Sequence, residues 1–140
     1  ILIDKARLEC QSFRYQYEDS PSIEYMARFV SMEQQKYTQK GGVRPYGIST
    51  SLCGFQDNKP QVFLTEPSGA MSQWKANAIG KKSKELREFL EEKFGEGLNE
   101  AQAIRLGIET LLEVVESEKS IELCVIRGDN VSRFVPSDDI

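Results

Sequence analysis

The chain has 140 residues, of which 39% are hydrophobic and 29% charged, a composition typical of one folded domain rather than a disordered chain. Its net charge of −4 disfavours nonspecific nucleic-acid binding, and no apolar run is long enough to span a membrane. Histidine is absent, which removes the commonest general base, the commonest zinc ligand and the Ser-His and Cys-His catalytic pairs. An enzyme would then need Asp, Glu, Lys, Tyr or a terminal amine as its catalytic group, which narrows the possibilities without excluding one. We predict no catalytic residue, no cofactor and no metal ion.

Three cysteines, Cys10, Cys53 and Cys124, lie far apart in apolar-periodic stretches. An odd count without paired spacing argues against a disulfide framework or a metal site. We expect buried core thiols in a reducing compartment.

Residues 1–17 predict a helix that is apolar on two sides. Ser20 and Pro21 then predict the N-cap and first position of a second helix, which runs to about residue 39. The predicted core stripe of the first helix contains Ile3, Ala6, Cys10, Phe13 and Tyr17, and the roughly opposite side carries Ile1, Leu8 and Tyr15.

The second helix also has two apolar stripes, and two interpretations remain open. Either this is one wide amphipathic face, or both helices pack on their own sheet and on a neighbouring subunit. Two consecutive helices with the same feature favour the second interpretation. The main stripe is Ile23, Met26, Ala27, Val30 and Tyr37, and the second stripe is Tyr25, Phe29 and Met32.

Lys40-Gly41-Gly42 predicts the end of that helix, and Pro45 prevents its resumption. Strands are predicted over residues 47–55, 61–65 and 70–76, separated by turns at 56–60 and 66–69. In the first strand, Ile48, Thr50 and Leu52 are expected on one face and Ser49, Ser51 and Cys53 on the other.

The sequence after residue 79 predicts helices over residues 80–94 and 99–117 and a hairpin of strands 121–127 and 131–135. Asn99 and Gln102 predict a capping box. Paired helices with antiparallel strands between them predict an α+β layered architecture in one domain, residues 1–140. The helix-like start without methionine and the incomplete strand set lead us to expect missing N-terminal sequence.

The candidate chemical motifs in the sequence are weak. Gly80-Lys81-Lys82-Ser83 resembles the end of a phosphate-binding loop, but the glycine and hydroxyl spacing fails, so we interpret it as a basic helix start. The acidic pairs Glu91-Glu92 and Asp138-Asp139 are expected to be solvated charge. Lys75 could be buried, yet no nucleophile-and-base pattern accompanies it. Trp74, Tyr46 and Phe55 fit interface anchors or core residues equally well.

Several separated segments resemble the signature of α-type subunits of the 20S proteasome, in the family's order and over nearly the whole chain. The segments at residues 9–11 and 18–21 are most similar to the subunit at the fourth α position. The segments are Ala6-Arg7-Leu8-Glu9-Cys10-Gln11, Tyr37-Thr38-Gln39, Gly42-Val43-Arg44-Pro45-Tyr46-Gly47-Ile48-Ser49, Pro67-Ser68-Gly69, Trp74-Lys75-Ala76, Ala78-Ile79-Gly80 and Ile121-Glu122-Leu123.

The resemblance implies a fold of the N-terminal-nucleophile hydrolase type, a four-layer αββα sandwich that is incomplete here at its N-terminus. The family has aspartate where this chain has Glu66 in Glu66-Pro67-Ser68-Gly69. Glutamate is less suited to a tight turn, which puts the local geometry of that turn in question.

The resemblance also implies a noncatalytic subunit of the outer α ring, which supports ubiquitin-dependent protein degradation in cytoplasm and nucleus. The implied partners are other α subunits, β subunits and regulatory particles, with no nucleic acid and no membrane. Competing hypotheses are a catalytic β-type threonine protease of the same fold and a free-standing adaptor module. The predicted subunit-interface residues are Ile1, Leu8, Tyr15, Tyr25, Phe29, Met32 and Tyr46.

Overall fold

The computed structural model describes residues 1–39, 41, 44, 46–117 and 120–136. Along the chain, pairs of helices alternate with antiparallel strands. Contacts within the chain form two units: unit 1 is Ile1–Lys75 with Gly128–Asn130, and unit 2 is Ala76–Arg127 with Val131–Ile140. The elements are α1 (Leu2–Tyr17), α2 (Ile23–Gln39), β1 (Thr50–Gln56), β2 (Lys59–Thr65), β3 (Met71–Trp74), α3 (Ser83–Lys93), α4 (Glu100–Leu112), β4 (Leu123–Ile126) and β5 (Ser132–Val135).

Unit 1 contains an antiparallel sheet in the order β1-β2-β3. The β1–β2 register pairs Thr50 with Thr65, and Asp57 and Asn58 form the connecting turn with positive φ angles of 53° and 60°. Alternate burial along β1 confirms the predicted faces within the strand, because Leu52 is more buried than its neighbours Ser51 and Cys53. The predicted strand start at residue 47 is too early, since Ile48 precedes β1 and is exposed.

Helix α2 packs on this sheet and contacts all three of its strands. Ala27 and Val30 of the predicted main stripe are 0% and 2% exposed, and Phe63 of β2 is buried in the same unit. This is the core of unit 1, and it confirms the main stripe as the sheet-facing side of α2.

Helix α1 makes its principal contact with α2 alone, and its predicted core stripe is partly wrong. Leu2 is the buried residue, while Ile3 and Tyr17 are exposed. A helix with one neighbour buries only a narrow strip, and this strip runs along the helix from buried Leu2 to half-buried Phe13.

The connection between α1 and α2 corrects the predicted capping. Glu18 ends α1 in the left-handed conformation, and its N–H donates to the carbonyl of Arg14. The hydroxyl of Ser22, rather than that of Ser20, accepts a hydrogen bond from the N–H of Tyr25 at 3.0 Å. Because α2 begins at Ile23, Pro21 lies before the helix and not at its first position. The predicted end of α2 at Lys40, Gly42 and Pro45 lies outside the described residues.

The turn after β2 is held tightly against α2. The N–H of Gly69 donates to the carbonyl of Glu66 at 2.9 Å, which confirms the predicted turn with glutamate at its first position. Gly69 has φ +87°, and a Cβ atom there would lie 2.7 Å from Cβ of Gln35. The hydroxyl of Ser31 donates to the carbonyl of Gly69. Glycine is therefore required at this position by both the backbone angle and the helix beside it.

Unit 2 pairs α3 with α4 and joins β4 to β5 in an antiparallel hairpin. The predicted capping box is confirmed. The N–H of Gln102 donates to Oδ1 of Asn99 at 2.8 Å, and the N–H of Asn99 donates to Oε1 of Gln102 at 3.0 Å. Arg127 donates two hydrogen bonds, of 3.1 and 2.6 Å, to the carboxylate of Glu100 and so ties the end of β4 to the start of α4.

The predicted bounds in unit 2 were too wide. Helix α3 begins at Ser83 rather than residue 80, because Lys82 before it is left-handed and provides no side-chain cap. Helix α4 ends at Leu112 rather than residue 117, and β4 and β5 have four residues each. Helices and antiparallel strands in both units confirm the α+β class.

All three cysteines are free thiols, and their predicted burial is wrong for two of them. Cys53 and Cys124 are exposed because each occupies an outward position of the pleat in β1 or β4, while Cys10 is half-buried. No helix among the described residues is both long and apolar enough to cross a membrane.

Substituting Gly69→Ala is expected to lower the free energy of unfolding by about 2 kcal/mol, because alanine is strained at this φ and meets Gln35. Gly47→Ala is the matched control, since a Cβ atom at Gly47 meets nothing within 4 Å. Urea unfolding of both variants measures the difference. Equal stability of the two variants would contradict the tight packing of the turn on α2.

Candidate subunit interface

Five large side chains are exposed on α1 and α2, and we name this set of residues the outer face. On α1 and its N-cap, Ile1, Leu8 and Tyr15 are 85%, 71% and 90% exposed; on α2, Tyr25 and Met32 are 38% and 60% exposed. Both sets have a spacing of seven residues, about two helical turns, so each forms a ridge along its helix. The ridge on α1 is about 21 Å long at 1.5 Å per residue.

The position of the ridge on α2 follows from the buried side of that helix. Gln34 is completely buried, and its Nε2 donates to the carbonyl of Ile48 at 2.9 Å. At 100° per residue, Met32 lies about 160° around the helix from Gln34. The sheet therefore fixes Met32 on the opposite, solvent-facing side.

Two of the predicted interface residues, Phe29 and Tyr46, are half-buried rather than exposed. Phe29 is half-buried on α2. Tyr46 is also half-buried, and its ring meets that of Tyr37 edge-on with centroids 4.7 Å apart. Burial raises the pKa of the Tyr46 hydroxyl, and its hydrogen bond with Tyr37 adds to the effect. The interface itself stays a prediction, with five of its seven residues on the outer face.

An aromatic cluster supports Tyr25 from the α1 side. The ring of Phe13 lies 4.6 Å from that of Tyr17 and 4.8 Å from that of Tyr25, measured between centroids. The hydroxyl of Tyr25 donates to Oε1 of Glu9 at 2.6 Å, and this hydrogen bond raises the pKa of Tyr25. The predicted stripes placed Phe13 and Tyr25 in separate surfaces, but the helix crossing joins them.

A second tie connects the start of α1 to the end of α2. Nζ of Lys5 donates to the hydroxyl of Tyr37 at 3.0 Å and lies 3.5 Å from the carboxylate of Glu33. It also stands 5.1 Å from the centroid of the Tyr37 ring. The hydrogen bond to Tyr37 is the main reason that the pKa of Lys5 is raised.

Glu33 is the acidic centre of this tie. Its side chain is 11% exposed and accepts a hydrogen bond from Nζ of Lys36 at 2.6 Å, which is the main reason that its pKa is lowered. Sequence reasoning missed this cluster. The available signal was a glutamate placed between buried positions of α2, because a buried carboxylate needs a partner.

The other residues singled out in the sequence, Trp74, Lys75 and Phe55, are not part of this charged cluster. Nε1 of Trp74 donates to the hydroxyl of Ser72 at 2.7 Å, and Lys75 is exposed. Phe55 donates its backbone N–H to Oδ1 of Asn130 at 2.6 Å, and its carbonyl accepts from Nδ2 at 3.0 Å. These contacts stabilise strand ends.

The predicted phosphate-loop resemblance and acidic pairs also have structural explanations. The N–H of Ser83 donates to the carbonyl of Gly80 at 3.2 Å, which makes that segment a turn leading into α3. Glu91 and Glu92 are exposed on α3, and Asp138-Asp139 lies outside the described residues. Within residues 1–39, 41, 44, 46–117 and 120–136, no group of side chains has the arrangement to hold a metal ion. The arrangement that stands out is the outer face, and what it can do is bury apolar surface against a partner.

The lowered pKa of Glu33 predicts a dependence of stability on pH. Its carboxylate binds a proton less readily in the folded chain than at its ordinary pKa of 4.5, so the stabilisation is present above that pH and is lost as the pH falls below it. Glu33→Gln should therefore reduce the loss of unfolding free energy between pH 6 and pH 3. Glu24→Gln, which removes an exposed ion pair with Arg28, is the control and should reduce it less. Urea unfolding across this pH range tests the difference, and identical profiles for the two variants would contradict it.

Comparison with known proteins places the chain in a family. The family model described as "Proteasome subunit" matches residues 1–126. A protein named proteasome subunit alpha type-7 from Dictyostelium discoideum is 52% identical over 130 residues, covering 91% of this chain and 52% of that protein. Proteasome subunit alpha type-8 from Mus musculus is 45% identical over 144 residues, and alpha type-4 from Saccharomyces cerevisiae is 44% identical over 146; each covers all of this chain and 58% of the relative.

The chain thus spans a little over half the length of the curated relatives that it matches. The family model covers nine-tenths of the 140 residues, and these relatives carry alpha-type names. The chain therefore belongs to the proteasome subunit family, and within it the chain is similar to the alpha-type subunits.

Proposed function

We propose that the protein is a noncatalytic structural subunit of the outer α ring of the 20S proteasome core particle. The observation that carries this proposal is the apolar outer face of α1 and α2, on a chain that belongs to the proteasome subunit family. In this role the protein supports the β rings and the gated entry through which substrates pass during ubiquitin-dependent degradation.

The geometry of the outer face suits helices as its occupant. Ridges at a spacing of seven residues pack well against another helix crossing at a small angle. Burying a side chain such as Leu8 or Met32 contributes about 1.5–3 kcal/mol, so a partner covering the two ridges gains a substantial hydrophobic contribution. We assign the outer face to contacts with β subunits, and we expect neighbouring α subunits and regulatory particles to bind elsewhere on the protein.

The noncatalytic assignment is supported by the relatives, which are named alpha subunits. In this family the resemblance implies that catalysis belongs to β-type subunits with an N-terminal threonine. We propose the fourth α position on the same basis, since residues 9–11 and 18–21 are the segments most similar to it. The cytoplasm and nucleus are the proposed locations. Neither a metal ion nor a cofactor is part of the proposal.

A charge on the outer face should block assembly. Leu8→Asp places an unpaired carboxylate in the proposed contact, where desolvation is costly, so incorporation into the core particle should fall at least tenfold. Ala103→Asp is the matched control, since it adds the same charge at an exposed position of α4 and should assemble normally.

Native mass spectrometry of tagged protein purified from its source cells measures this incorporation. The unsubstituted protein should appear in a complex of several hundred kilodaltons. A free monomer would favour the adaptor alternative, and equal incorporation of the two variants would remove the outer face from the assembly contact.

The noncatalytic assignment has its own test. A threonine-reactive peptide probe, added to the purified complex, should label other subunits and leave this protein unlabelled. Denaturing electrophoresis separates the labelled chains. Covalent labelling of this protein would contradict the proposal and support the β-type alternative.

A further inference from the structure

Ser20 and Pro21 form a pair with no other counterpart in the sequence. The chain contains five prolines, and the other four follow Arg44, Lys59, Glu66 and Val135, so Ser20 is the one serine or threonine directly before proline. The expected reason for this pair was helix capping. In the structure the hydroxyl of Ser22 caps α2, so helix capping does not explain why serine and proline stand at positions 20 and 21.

The pair lies in an accessible, irregular connection. Helix α1 ends at left-handed Glu18, α2 begins at Ile23, and residues 20–22 have no regular secondary structure. Ser20 is exposed, and its backbone N–H donates to Oδ1 of Asp19 at 2.8 Å, a bond that does not involve the hydroxyl. Pro21 fixes its own φ and keeps the preceding residue away from the helical region. An exposed serine directly before proline, outside helices and strands, is the form in which proline-directed protein kinases take their substrates.

The surroundings of Ser20 make a new charge there consequential. Arg14, Glu18, Asp19 and Ser20 line one shallow depression of about 250 Å³. A phosphate on Ser20 carries a charge of about −1.5 to −2 at neutral pH. The guanidinium of Arg14 attracts it, whereas the two carboxylates repel it, so phosphorylation leaves this end of the helix pair strongly negative.

We propose that Ser20 is a phosphorylation site for a proline-directed serine/threonine kinase, and that a phosphate there weakens docking of the outer face. In the reaction, Oγ of Ser20 forms a bond to the γ-phosphorus of ATP and the bond from that phosphorus to the β,γ-bridging oxygen breaks. ADP leaves, and the hydroxyl proton passes to the base of the kinase.

The effect on docking rests on the proposed function. Arg14, which lines the same depression as Ser20, directly precedes Tyr15, the last residue of the α1 ridge, and Tyr15 is 90% exposed. A doubly charged group beside apolar surface opposes the burial of that surface, because the phosphate and its neighbouring carboxylates would have to lose water. The turn between the helices is thus placed to regulate the contact that the helices make.

The first experiment tests the modification by itself. The purified protein is incubated with a proline-directed kinase and ATP, and phosphopeptides are mapped by mass spectrometry, with a synthetic peptide of residues 14–26 as the reference substrate. We expect one phosphate on Ser20 in the unsubstituted protein and no phosphate at this position in Ser20→Ala. Ser22→Ala should be phosphorylated at Ser20 to the normal extent, and Pro21→Ala at least tenfold less. Phosphorylation of the peptide but not of the folded protein would overturn the site.

The second experiment tests the consequence. Protein carrying phosphoserine at position 20 and unmodified protein are compared in the native mass spectrometry assay, with Ser20→Ala as the control. We expect at least tenfold lower incorporation of the phosphorylated form and normal incorporation of Ser20→Ala. Equal incorporation would overturn the regulatory role while leaving the kinase site. If the unmodified protein also fails to assemble, the proposed function and the regulation built on it both fall, whatever the kinase result.

Discussion

The packing of α2 against the β1-β2-β3 sheet is the constraint on which unit 1 depends. This helix contacts all three strands as well as α1, and its sheet-facing residues Ala27 and Gln34 are completely buried. Two polar side chains one turn apart hold the chain on either side of the hairpin: Gln34 donates to the carbonyl of Ile48 before β1, and Ser31 donates to that of Gly69 after β2. Buried polar bonds of this kind fix one arrangement because any slippage leaves unpaired groups.

The position of α2 determines where α1 packs and which of its side chains are exposed on the outer face. Lys5 and Glu33 tie one end of α1 to α2, and the contact of Phe13 with Tyr25 ties the other. With α1 held at both ends, the ridge that contains Leu8 points away from the rest of unit 1. The exposure of the outer face is therefore a consequence of the packing inside unit 1.

The local sequence predicted the α+β class, the hairpins and the capping box at Asn99, because periodicity, turn residues and capping residues all act between near neighbours in the chain. Hydrophobic periodicity alone was less reliable. It failed where distant contacts decide. Ile3 was placed in the core, yet α1 has one main neighbour and buries Leu2 instead. The same limit applies to the predicted interface residues. The exposed ridges were recognisable in the sequence as second apolar stripes. The half-burial of Tyr46, by contrast, depends on the ring of Tyr37, which only the fold brings into contact with it.

Burial of the outer face against another subunit can be observed by single-particle electron cryomicroscopy of the assembly, purified from source cells with this protein tagged. We expect Leu8, Tyr15 and Met32 to lie within about 4 Å of helices from a different chain. A map in which both ridges face solvent, or in which this protein is attached to the complex through another surface alone, would contradict it.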